Sequence, residues 1–168
     1  MKISTLEEYA VRCLSQLARA EGKLTIGAIA ELEGLSEENT AKVMARLRSM
    51  GLARSLRGKD GGYLLARPAE QISLAEVLEG VAGELFQLER CHGDRGDRAG
   101  CVHHAECSLR PMWARLEQVV HDFLSALTIA DLLREESAMR NVVRALSHRH
   151  PALELSTEAD SDRAATSS

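Results

Sequence analysis

Between residues 4 and 20 the apolar positions Leu6, Ala10, Cys13, Leu14, Leu17 and Ala18 return at the spacing of one helix face. Ser4 or Thr5 can cap that helix, Glu7 and Glu8 suit its first turn, and Gly22 ends it. A short second helix fits 25–33, with Thr25 as cap and Ile26, Ile29, Ala30 and Leu32 buried. Gly34-Leu35 is a tight connection. A third helix opens at Ser36, with Asn39 at the position that a capping box reserves for Glu or Gln. Val43, Met44, Leu47 and Met50 form its apolar face, and Gly51 stops it. The period then changes. LARSL, a turn holding Gly58, Asp60, Gly61 and Gly62, and YLLA predict a β-hairpin that Pro68 closes. Helix, helix, helix and hairpin in this order predict a winged helix-turn-helix.

A fourth short helix fits 73–82 behind Ser73. Residues 84–108 are polar, glycine-rich and hold three cysteines, which marks a functional loop rather than core. Pro111 then stands in the first turn of a long amphipathic helix. Its stripe of Trp113, Leu116, Val119, Val120, Phe123, Leu124 and Leu127 calls for a partner, and a second copy of the chain is the simplest one. A last helix is predicted over 128–146, starting near Thr128 or Asp131. The fold class is therefore mainly α with a small β wing. The expected division is a DNA-binding domain at 1–82, a cysteine loop at 83–108, dimerisation helices at 109–148 and a disordered polar tail at 149–168.

Charge sharpens this picture. The net charge of −4 argues against nucleic acid, but residues 1–68 carry 11 basic and 8 acidic side chains, whereas 69–168 carry 10 and 17. Within 39–67 stand Lys42, Arg46, Arg48, Arg54, Arg57, Lys59 and Arg67 against Asp60 alone, the local footprint of a DNA-facing surface. On the third helix Glu38, Asn39, Thr40, Lys42 and Arg46 are placed to reach bases or phosphates: Asn39 can pair with adenine, Lys42 or Arg46 with guanine or phosphate. Arg57 and Lys59 sit at the wing tip, where backbone or minor-groove contact is natural. Arg48 is better read as a solvated helix residue. Aromatics at 3% exclude a base-stacking platform for single strands. No apolar run reaches bilayer length, and MKISTLEEYAVRCL lacks the apolar core of a secretory signal, so a cytoplasmic protein without membrane partners is expected.

In a reducing compartment the four cysteines are metal ligands or redox thiols before they are disulfides. Cys91, Cys101 and Cys107 run C-x9-C-x5-C, unlike zinc-finger pairs or ferredoxin runs, and can converge on one soft metal centre or form a thiol switch. Cys13 lies on an apolar helix face and reads as core. His92 adjoins Cys91 too closely to share its metal. His103 and His104 are rival ligands that solvent alone also explains, and His121 reads as a surface or interface residue. An enzyme is not expected: there is no HExxH, no acid/base pair beside the cysteines, and GKDGG lacks the Gly-Lys-Ser/Thr end of a P-loop.

MKIST-x-x-EYAVR, RLRSMGL, LRGKDGGYLLARP, ISLAEVLEGV, the three cysteines and the stretch from CSLRPMW to LTIADL together resemble the winged-helix iron–sulfur regulators of the IscR, NsrR and RirA type, from Met1 to about Glu136. The resemblance implies a homodimer on a roughly palindromic double-stranded operator, with Cys91, Cys101 and Cys107 each ligating iron. The first cysteine gap is longer than is typical of these proteins. The IscR type places a histidine three residues after the last cysteine, where this chain has Arg110. The NsrR type instead uses an acidic residue near the N-terminus of the partner chain, and the matching position is Glu8. The resemblance thus implies a [4Fe-4S] cluster on three cysteines and the partner's Glu8, with [2Fe-2S] as the alternative. As a residue alone, Glu8 is equally a first-turn acid favoured by the helix dipole. The expected function is a transcription regulator, a repressor, that senses nitric oxide, oxygen or iron status. A cluster-free thiol switch is the alternative.

Overall fold

Four helices begin at side-chain caps that the sequence made legible. The computed structural model describes residues 3–58, 61–83 and 107–147. Helix α1 spans Thr5–Arg19 behind a capping box in which Ser4 Oγ accepts from the Glu7 amide at 3.3 Å and the Ser4 amide donates to Glu7 Oε2 at 2.6 Å. Glu7 is buried by this exchange. Thr25, Ser36 and Ser73 cap α2 (Ile26–Glu33), α3 (Glu37–Ser49) and α4 (Leu74–Ala82) in the same way. Gly34 turns the chain from α2 into α3 at φ 64°, a left-handed conformation that glycine takes without a Cβ penalty.

The wing is an antiparallel pair, β1 (Ala53–Leu56) and β2 (Gly62–Leu65), in the register Ala53 to Leu65 and Leu56 to Gly62. A third backbone segment joins it. Leu24 and Tyr63 exchange both amide–carbonyl bonds, at 3.0 and 2.7 Å, so the residue just before α2 is stitched to the wing. Gly62 permits this approach, because a Cβ there would stand 2.9 Å from the Leu24 carbonyl oxygen. Sequence periodicity does not reveal a one-residue bridge.

Cys13, Leu14 and Leu17 of α1, Ile29 of α2, Val43, Met44 and Leu47 of α3, and Leu52, Ile72 and Val77 form the core. Leu127 and Ile129, which follow the long helix α5 (Leu109–Ser125), are buried in that same core. The backbone holds them there: the Leu74 amide donates to Leu127 O and the Ile129 amide to Ile72 O, both at 2.9 Å.

This return corrects the helix expected over 128–146. Residues 128–130 spend their hydrogen bonds on Ala69 and Ile72 and on a cap, with Thr128 N and Oγ1 donating to Asp131 Oδ2 at 3.0 and 2.8 Å. A 3-10 turn follows at Asp131–Leu133, and α6 starts only at Glu136, running to Ser147.

The apolar stripe of α5 is also divided. Phe123 and Leu124 pack on the chain's own core, whereas Leu109, Met112 and Leu116 are exposed one and two turns apart. Among the described residues no helix is long and apolar enough to cross a membrane. The expected tail at 149–168 lies outside the described residues.

Candidate nucleic-acid interface and the cysteine segment

Helix α3 shows core to one side and polar groups to the other. Thr40, Val43, Met44 and Leu47 fall at i, i+3, i+4 and i+7 and are all buried. Thr40 is thereby corrected as a DNA-reaching residue: it is fully buried and its hydroxyl donates to the Ser36 carbonyl at 3.0 Å. Its polar type hid the fact that it shares the stripe of Val43 and Leu47. Glu38, Asn39, Lys42 and Arg46 are exposed. Lys42 Nζ lies 2.7 Å from Glu38 Oε1, and this hydrogen bond holds the Glu38 carboxyl below its ordinary value. A phosphate reaching Lys42 competes with that exposed pair, which is weak in water.

Thr5, Leu6 and Tyr9 of α1 face Asn39, Lys42 and Val43 across an open cleft, so the first turns of α1 border the polar face of α3. Nothing in the local pattern announced this neighbour. Arg57 is exposed at the end of β1, and Lys59 lies outside the described residues.

Two basic residues bond helix α4. Arg46 Nη2 donates to the Gly80 carbonyl at 2.5 Å. Arg67 pairs with Glu76 of α4, its Nε buried without a partner, so it belongs to the scaffold and not to the DNA face.

One turn beyond Tyr9 on α1, Arg12 donates through Nε to Glu33 Oε2 at 2.5 Å and through Nη2 to the Glu33 carbonyl at 2.6 Å. Gln16 completes the grip on Glu33 Oε1 at 2.6 Å. Glu8, 60% exposed in its side chain, meets Arg12 only at 3.5 Å. Glu8 therefore keeps its carboxylate on the outer surface of α1 while Arg12 is spent on α2. Glu7, its neighbour, is consumed by the cap.

The two described cysteines differ. Cys13 is fully buried and burial pushes its thiol up to about 12. It is core, as its position on the apolar face implies. With a disulfide reagent such as DTNB at pH 8, native protein is expected to leave one thiol per chain unreacted that guanidinium then exposes. A Cys13→Ala chain should lose that latent thiol. Cys107 is half-buried immediately before α5, and its carbonyl accepts from the Arg110 amide at 3.3 Å. Cys91, Cys101, His92, His103 and His104 lie outside the described residues. Among the described residues no three ligand-type side chains converge on one point.

His121 is placed between helices. Its Nδ1 is 2.7 Å from Glu79 Oε1 of α4, and its Nε2 is 3.3 Å from Ser125 Oγ.

The pattern of the Rrf2 family, described as iron-dependent transcriptional regulators, matches residues 3–135. The chain belongs to the Rrf2 family. It is a helix-turn-helix transcription regulator, and regulation of this kind acts through DNA. Its relatives are regulators and not enzymes. The Azotobacter vinelandii protein ORF2, named as an HTH-type transcriptional regulator, is 35% identical over 151 residues, 89% of this chain and 88% of its own. Among solved structures, T. potens IscR aligns with a TM-score of 0.63 at 30% identity, over 82% of this chain and 90% of its own. Staphylococcus aureus CymR in an oxidized form aligns with a TM-score of 0.62 at 29% identity, over 80% and 98%. The winged-helix architecture is common to this Rrf2 chain and to both.

Proposed function

We propose that this Rrf2 protein is a dimeric repressor that reads a roughly palindromic operator and responds to nitric oxide, oxygen or iron status through an iron–sulfur cluster, [4Fe-4S] in preference to [2Fe-2S]. The observation that carries the reading is the contrast between its thiols. Cys13 is sealed in the core, whereas Cys107 is accessible at the end of the segment that joins the DNA module to α5. Cys91, Cys101 and Cys107 would hold the cluster, with the partner's Glu8 as fourth ligand. Three soft thiolates and one harder carboxylate suit iron and leave one iron more readily exchanged. The exposed carboxylate of Glu8, beside an Arg12 already engaged by Glu33, supports its reach to a second chain. When bound, the cluster supplies chemistry that nitric oxide or oxygen can attack.

The chain's own residues do the rest. Asn39 and Lys42, with Glu38 as the acid that Lys42 gives up, face the major groove. Arg57 and Lys59 contact the backbone beside it. Two copies joined through the exposed Leu109, Met112 and Leu116 would set two α3 helices one helical turn of DNA apart. The likeness to IscR supports the cluster, while that to CymR in an oxidized form favours a second reading, a cluster-free thiol switch.

Anaerobic purification followed by an absorption spectrum with iron and sulfide assays separates the two. A brown protein with about four iron and four sulfide per chain is expected, and about two of each would mark the smaller cluster. Changing Cys101 to Ala should abolish both the colour and the difference in operator affinity between loaded and iron-free protein. A wild-type chain that stays colourless after anaerobic reconstitution overturns the cluster and selects the thiol switch.

A further inference from the structure

The cysteine segment leaves the described structure beside a small junction at the end of α4. The segment leaves α4 after Gly83 and rejoins the fold at Cys107, just before α5. The last turn of α4 touches three things. Its Gly80 carbonyl is one of the C-terminal carbonyls that a helix cannot satisfy by itself, and Arg46 of α3 donates to it at 2.5 Å. The space a β-carbon would take at Gly80 is filled by the terminal methyl and sulfur of Met50, which follows α3. The adjacent Glu79 bonds His121 of α5 at 2.7 Å. Helices α3, α4 and α5 thus meet at Glu79-Gly80, just ahead of the cysteine segment in sequence. Asn39, Lys42 and Arg46 stand at i, i+3 and i+7, so the tie grips the same face that reads DNA, at its far end.

We infer that Arg46 is a positioning residue, not a DNA contact: by donating to the Gly80 carbonyl it sets the tilt of α3 and passes changes in the cysteine segment to the reading face. Displacing the last turn of α4 breaks the bond and the Met50 contact together, leaving α3 held only through its buried stripe. A helix with two such arrangements is the kind of element that a ligand can bias. This inference rests on the proposal that the cysteine segment carries the signal, and the test keeps the two apart.

The probe is a duplex selected from a random-sequence library by the wild-type full-length chain. Its dissociation constant is measured for wild type, Arg46→Gln, Arg46→Lys and Gly80→Ala, each in the iron–sulfur-reconstituted and the reduced iron-free form. Wild type is expected to differ by about five-fold or more between the forms. Arg46→Gln and Gly80→Ala should bring that ratio to within about two-fold of one, with Arg46→Lys between them. In the iron-free forms, hydrogen exchange should quicken in both the last turn of α3 and residues 79–83 of Arg46→Gln, with α1 unchanged.

If Arg46→Gln instead weakens binding equally in both forms and lowers the salt dependence by about one phosphate contact, Arg46 touches DNA and the inference is overturned. A wild-type ratio that Arg46→Gln leaves intact also overturns it. A wild-type ratio of one, for iron-loaded against iron-free and for oxidised against reduced thiols, overturns the signal-bearing segment itself. That failure is seen before any variant is made.

Discussion

Changing Leu116 to Glu is expected to convert the proposed dimer to a monomer and to weaken its hold on a two-half-site operator by about 100-fold or more. Leu116 is 41% exposed, and Leu109 and Met112 at 56% and 48% complete an apolar strip along the first half of α5. The second half, Phe123 and Leu124, is already used by the chain's own core. The exposed half is thus free to pair with another copy, and a charge at its C-terminal end places an unpaired carboxylate in the proposed interface. Operator binding suffers because two joined reading heads exceed the affinity of one by about 10²–10⁴ through effective concentration alone. Light scattering behind size exclusion gives the mass, and anisotropy with a labelled duplex gives the affinity. A Leu116→Glu chain that remains a dimer would show that the strip is not the interface. The same substitution should leave the melting of the monomer fold little changed, since the position is exposed.

Changing Ile129 to Ala should cost about 2–5 kcal/mol of stability, the usual range for such a truncation in a core. Ile129 is fully buried, and its amide is bonded to the Ile72 carbonyl. The side chain follows the long helix in sequence but belongs to the main core, beside the segment before α4. Thermal unfolding followed by circular dichroism is expected to drop by roughly 5–20 °C and to remain a single transition. Two separated transitions would mean that the residues after α5 melt as a unit of their own.

Much of the fold could be read locally. Caps at Thr25, Ser36 and Ser73, and the alternatives Ser4 or Thr5, follow from the preference of short polar side chains for orphan amides, and the structure selects Ser4. The wing was legible because glycines at a strand-to-strand turn have one common use. The helix expected over 128–146 failed for a tertiary reason. Its first residues form backbone bonds to Ile72 and Ala69, and no propensity scale includes partners more than fifty positions away. Thr40 misled in a different way. Counting residue types made it polar, whereas its spacing from Val43 and Leu47 already placed it inward.

The basic stretch shows how a charge count is divided by folding. Lys42 and Arg57 stay at the surface. Arg46, also exposed, and Arg67 in addition bond α4, at the Gly80 carbonyl and the partly exposed Glu76 carboxylate, because helix ends and carboxylates compete with solvent for guanidinium groups. From sequence all four look alike.

Local pattern by itself determined the order of elements, the winged helix-turn-helix, the core role of Cys13 and the family to which the chain belongs. These depend on interactions within a few residues or on motifs read in one dimension. Tertiary structure alone decided which half of α5 is open, that Ile129 closes the first domain's core, that Arg12 holds Glu33 and leaves Glu8 outward, and that Arg46 is tied to Gly80. Each of these joins residues far apart in the chain. Such pairings are selected by packing and by the need to satisfy buried polar groups once the helices have docked, so they leave no periodic trace in the sequence.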